Sequence, residues 1–120
     1  MKTILKSIII LVLFALTSNN LHAQDKISKV VTKEFHVSGV CSMCEERIEN
    51  AALIKGVKQA EWDKTTKMLK VIYNSYKTDE LQIHKAVAEH GHDTKKEKAD
   101  DEVYKKLPFC CHYRDGAKDH

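Results

Sequence analysis

Ser38-Gly39-Val40-Cys41-Ser42-Met43-Cys44-Glu45-Glu46-Arg47-Ile48-Glu49 is the stretch on which the fold turns. Just upstream, Val31-Thr32-Lys33-Glu34-Phe35-His36-Val37 alternates, with Val31, Phe35 and Val37 on one face, and predicts a first strand. After the glycine turn the period becomes helical from Glu45 to about Ile54. Ile48, Ala51, Ala52 and Leu53 face inward, and Gly56 stops the helix. Cys41 therefore sits in a loop and Cys44 in the first helical turn. Residues three apart on a helix are neighbours, so both sulfurs can converge on one soft metal ion. A helix N-terminus favours negative charge and helps hold thiols as thiolates, the form that binds metal.

Downstream, Val57 to Asp63 reads as a second strand, 64–67 as its turn, and Met68 to Asn74 as a third strand with Leu69, Val71 and Tyr73 on one face. Thr78 or Asp79 caps a second helix that runs through His90. Ile83, Ala86 and Val87 form its apolar stripe, and Gly91 ends it. His92 to about Glu97 predicts a short polar fourth strand. The expected class is α+β, a ferredoxin-like βαββαβ sandwich with two helices on one face of an antiparallel sheet. An added helix is expected over Asp100–Leu107, with Pro108 after its end. Phe109-Cys110-Cys111-His112-Tyr113 follows, apolar enough to dock back on the domain.

The first 23 residues read as an export signal. Lys2 and Lys6 make a basic start, Ser7 to Leu16 is apolar, and Leu21-His22-Ala23 offers a cleavage site. The apolar run falls short of the roughly 20 residues a membrane span needs. The expected organisation is a signal at 1–23, a domain at 30–97 and a helix with a Cys-Cys-His tail at 98–120. The chain would be exported to the periplasm and not embedded in the membrane after cleavage. Removing Lys2 and Lys6 lowers the formal charge of this 120-residue chain from +3 to +1. That balance argues against a nucleic-acid partner. No catalytic triad, paired-carboxylate site or phosphate loop is present, so no enzyme is expected.

The region from about Val31 to Lys96 resembles the heavy-metal-associated domain family, the small metallochaperone fold. The resemblance lies in Cys41-Ser42-Met43-Cys44, in Ile48-Glu49 four residues further on, and in Gly56-Val57. The Leu69-Lys70-Val71-Ile72-Tyr73 strand and Gly91 complete it. With the export signal, the chain looks like exported copper chaperones and periplasmic mercuric-transport proteins. The resemblance implies that Cys41 and Cys44 bind a soft ion on an exposed loop and pass it by ligand exchange to a membrane transporter or efflux component. It also places the loop of His92 beside the CxxC loop. Copper carriers of the family usually read Gly-Met-x-Cys where this chain has Ser38-Gly39-Val40-Cys41, so the Met that packs under the loop is absent.

The expected metal ligands are Cys41 and Cys44, with His92, Cys110, Cys111 and His112 as auxiliaries. Cu(I) is the first expectation; Zn(II) and Hg(II) are alternatives. Exposed cysteines would also let two chains share one ion. Four cysteines in an exported chain equally suggest disulfides. Adjacent Cys110 and Cys111 have Cα atoms about 3.8 Å apart, below the usual ~4.4–6.8 Å, so they pair elsewhere or bind metal together. Two other readings stand beside the carrier: a periplasmic thiol–disulfide protein using the same CxxC, and a disulfide-stapled interaction module.

Overall fold

The computed structural model describes residues 29–118. The signal read at residues 1–23 lies outside the described residues. Strand β1 spans Val30–His36, helix α1 Ser42–Ala52, β2 Val57–Trp62, β3 Met68–Asn74 and helix α2 Glu80–Glu89. A short helix α3, Asp101–Lys105, and two single 3-10 turns, Phe109–Cys111 and Tyr113–Asp115, complete the order.

The sheet is antiparallel with order β1-β3-β2. Its register sets Phe35 opposite Leu69 and Val31 opposite Tyr73, with Trp62 opposite Leu69 on the other side. The alternation read from sequence is therefore the alternation of the sheet, because side chains two apart share a face. Leu69, Val71 and Tyr73 are buried beneath Ile48, Ala51 and Ala52 of α1 and Ile83 and Val87 of α2. A fully buried aliphatic side chain of this kind contributes about 1.5–3 kcal/mol. Trp62 is buried as well, and its Nε1–H donates to the Val37 carbonyl at 3.0 Å.

Three expectations need correction. His92–Glu97 is no strand; the described chain forms only three, and a single bridge, Val37 with Thr94, marks where the fourth would pair. The cause is local: Thr94 Oγ1 accepts from the backbone N–H groups of Lys96 and Glu97, and Thr94 N–H donates to the Glu97 carbonyl. A hydroxyl that bonds its own neighbours diverts the backbone into a turn. Leu53 was expected inward and is 49% exposed. It leaves the helix at φ −78°, ψ 52°, and Ile54 packs on the core in its place. Helix α3 begins at Asp101 and ends at Lys105, with the Asp100 carboxylate accepting from Glu102 N–H, so Leu107 lies beyond it.

Leu107 nonetheless reaches the core. A Cβ on Gly91 would meet its side chain at 2.9 Å, and Gly91 holds φ +99°. This position needs glycine for both reasons. Beyond it the tail is tied down by polar contacts. Tyr113 hydroxyl donates to the Gly91 carbonyl at 2.7 Å and accepts from Asp93 N–H at 2.9 Å. Arg114 grips the Asp93 carboxylate through Nε and Nη2 at 3.0 and 2.7 Å, reaches the Ala99 carbonyl, and lies over the Tyr104 ring. Burial alone would raise the Asp93 carboxyl, but Arg114 and the Ala99 N–H outweigh it and hold it below the usual range.

Arg114→Gln should lower unfolding stability at pH 7 by about 1–3 kcal/mol, as expected for a partly buried fork-on-fork pair. The depressed Asp93 carboxyl sets the sign of the pH dependence. Its contribution is present above the ordinary carboxylate range and is lost as pH falls through the folded-state value. Urea melts from pH 7 to pH 3 should therefore bring wild type and variant together; a constant gap would exclude this pair as the latch.

Candidate metal centre

Cys41 occupies the N-cap of α1 with extended backbone, φ −121°, ψ 178°, and Cys44 lies in the first turn. Their sulfurs are 3.6 Å apart. The loop rests on Trp62: a Cβ on Gly39 would touch that ring at 3.0 Å and the Cys44 Cβ at 3.1 Å. Glu49 fixes the other side, its carboxylate accepting from Trp62 N–H at 2.9 Å. Val40 is buried in the same cluster.

The family resemblance implied an exposed loop; here the loop is covered. Cys41 is 8% and Cys44 0% exposed, because the tail lies over them. The turn Phe109–Cys111 puts Cys110 Sγ 3.5 Å and Cys111 Sγ 3.6 Å from Cys41 Sγ, and the two tail sulfurs are 3.9 Å apart. All four cysteines are free thiols. A tetrahedron with metal–sulfur bonds of about 2.3 Å has an edge near 3.8 Å. The Cys41–Cys44 and Cys41–Cys111 spacings are therefore close to those of sulfurs around one ion. Cys41, Cys44 and Cys111, all buried, have sulfurs within 4.8 Å of one another.

Cys41 is the hub, and its acidity shows it. Burial would push its thiol up. The Cys44 backbone N–H and the thiols of Cys110, Cys111 and Cys44 outweigh this and bring it down to about 7. Cys110 is raised, chiefly through its hydrogen bond to Cys41, and Cys111 is raised chiefly by burial. Cys41 is thus more readily ionised than Cys110 or Cys111, and its sulfur lies within hydrogen-bond reach of the other three. Arg47, one turn after Cys44, donates from Nη1 to Cys111 Sγ at 3.3 Å. It was not singled out in the sequence. The available signal was its spacing, i+3 from Cys44 and on the same helical face.

The histidines divide. His92 is fully buried; its Nδ1–H donates to the Ser38 carbonyl at 2.8 Å, and its ring stacks on Tyr113. Burial, before the effect of Arg47, lowers its pKa to about 4, so it is neutral, and Nε2 has no hydrogen-bond partner among the described residues. It is not one of the three groups whose donor atoms converge. His112 uses Nε2 on the Leu107 carbonyl at 2.7 Å and sets Nδ1 3.4 Å from the Asp115 carboxylate. Here it serves the fold of the tail. His84, read as an ordinary helix position, is fully buried, stacked on Phe35 and hydrogen-bonded to Thr94 and Glu80.

No family model matches the chain, and no curated protein matches it. Solved structures do. The CopZ metallochaperone superposes with a TM-score of 0.52 at 26% identity, over 53% of this chain and 98% of its own. The N-terminal domain of a potential copper-translocating P-type ATPase from Bacillus subtilis, solved in the Cu(I)-loaded state, gives 0.51 at 27%, over 54% and 84%. A copper binding domain from HMA7, a P-type ATPase, gives 0.52 at 20% over 53% and 89%, and speaks for the fold alone. The protein thus contains a domain with the heavy-metal-associated, ferredoxin-like fold. Its sheet is the open three-stranded version described above, and the buried cysteine cluster fits it for binding a soft metal.

Alkylation of the reduced, metal-free protein should show a thiolate inflection near pH 7, below the usual ~8.5 of a free cysteine. Because the two tail thiols are among the groups that bring Cys41 down, Cys110→Ala/Cys111→Ala should move the inflection upward. An unmoved inflection would mean that the tail thiols do not act on Cys41.

Proposed function

We propose that this chain is an exported heavy-metal-binding protein that carries or sequesters a soft ion, Cu(I) first, in a thiolate centre closed by its own tail. One observation carries the reading: Cys110 and Cys111 lie 3.5 and 3.6 Å from Cys41 Sγ, although they are 69 and 70 residues away in sequence. Chance packing of a tail does not bring two more free thiols onto a sulfur that already has Cys44 beside it. Three mutually close sulfurs suit Cu(I), whereas a structural Zn(II) site asks for four ligands. Hg(II) remains an alternative cargo of the same softness. Cys41 and Cys44 are the primary ligands and Cys111 joins them. Arg47 offsets the negative charge of the complex.

The basic start, apolar run and Leu21-His22-Ala23 site support export to the periplasm. The chain carries out no turnover; the ion leaves by stepwise exchange of thiolates with a membrane transporter or efflux component. A covered site favours holding the ion, and release then requires the tail to lift. A thiol–disulfide role is the second reading, favoured by the thiol of Cys41 brought down to about 7.

The deciding experiment is anaerobic metal loading of the reduced protein followed by metal analysis. Wild type should retain Cu(I) through gel filtration. Cys41→Ser/Cys44→Ser should lose it, and Cys110→Ser/Cys111→Ser should retain it more weakly. Failure of the wild type to take up copper, zinc or mercury, together with catalysed insulin reduction, would replace this reading with the thiol–disulfide one.

A further inference from the structure

Cys110 is the one thiol of the four that is not buried. It lies within 3.9 Å of Cys41 and Cys111, yet it does not belong to the set whose sulfurs are all within 4.8 Å of one another. The pair that excludes it is Cys44 with Cys110. The four thiols therefore do not form one regular cage. Cys41, Cys44 and Cys111 make a buried group, and Cys110, only half-buried, extends the cluster beyond Cys41 and Cys111.

A fifth sulfur meets it there. Met43 Sδ is 3.6 Å from Cys110 Sγ. Methionine usually earns its place by filling gaps in a core. Met43 fills none: it is 50% exposed, at the start of α1. A thioether held against a half-buried thiol at the mouth of a thiol cluster has the chemistry of a soft-metal ligand.

We propose that Met43, Cys110 and Cys41 form a second, outer soft-metal site, so that the centre holds two Cu(I) ions bridged by the Cys41 sulfur. Cys41 is suited to bridge, being 3.5–3.6 Å from sulfurs of both groups. The inner complex alone is anionic, which attracts a second cation; Arg47 at 3.3 Å from Cys111 Sγ covers only one side of it. The outer site faces solvent and is the natural first stop for an arriving ion and the last for a departing one. This inference rests on the metal-binding reading above.

The test is titration of the reduced protein with Cu(I) against a chromophoric Cu(I) chelator, with gel filtration and X-ray absorption on the loaded samples. Wild type should bind two Cu(I) per monomer and show a short metal–metal vector. Met43→Leu should keep the first ion and weaken the second about tenfold or more, and Cys110→Ser should weaken the second more than the first. Met43 is exposed, so its loss cannot act through misfolding of the core. One Cu(I) per chain, a second ion indifferent to both variants, or a second ion seen only in dimers would overturn the outer site and leave the carrier reading intact. No Cu(I) binding at all would overturn both.

Discussion

Tyr113 and Arg114 hold the structure of the centre together from outside it. One hydroxyl bridges the Gly91 carbonyl and the Asp93 N–H, and one guanidinium clasps the Asp93 carboxylate and the Ala99 carbonyl. These contacts pin the tail to the segment that leaves α2. Everything between Leu107 and Tyr113 is then fixed at both ends, and that span carries Cys110 and Cys111. Without the clasp the chain would have a domain with two close sulfurs. With it, the same domain has a closed cluster of four.

A match that takes in 98% of the CopZ metallochaperone takes in only 53% of this chain. The part of the chain beyond the compact domain includes the second cysteine pair. It also explains the fate of the fourth strand. Asp93, Thr94 and Ala99 are engaged in binding Arg114 and in turning the chain, so this segment cannot also run as a strand along β1.

The elements with a clear period were legible in the sequence. β3 matches its alternation from end to end, and both long helices follow their apolar stripes to within a few residues. Cys41 in the loop and Cys44 in the first turn followed from the glycine turn and the change of period. The polar segment at His92 had no such period, and its hydroxyl and carboxylate took the backbone bonds a strand needs. The docking of the tail was readable from its aromatics, whereas its exact partners were not, because Arg114 and Asp93 are 21 residues apart and charge alone does not name a pair. Arg47 and His84 were missed for a related reason. A polar residue on a helix shows its spacing in the sequence, but only packing shows that a sulfur or a phenyl ring lies over it.

The separation between Cys41 and the tail cysteines has a consequence for when the centre can exist. Each cysteine pair is local and is present in an extended chain. The mixed cluster closes a loop of 69 residues and is among the longest-range contacts the fold makes. Loop closure of this length is tolerable for stability, since each doubling costs only about 0.6 kcal/mol, but it delays the contact until the intervening elements have formed. Assembly of the four thiols is therefore a late folding event, and the cluster reports that the elements between Cys41 and Cys110 have reached their native arrangement.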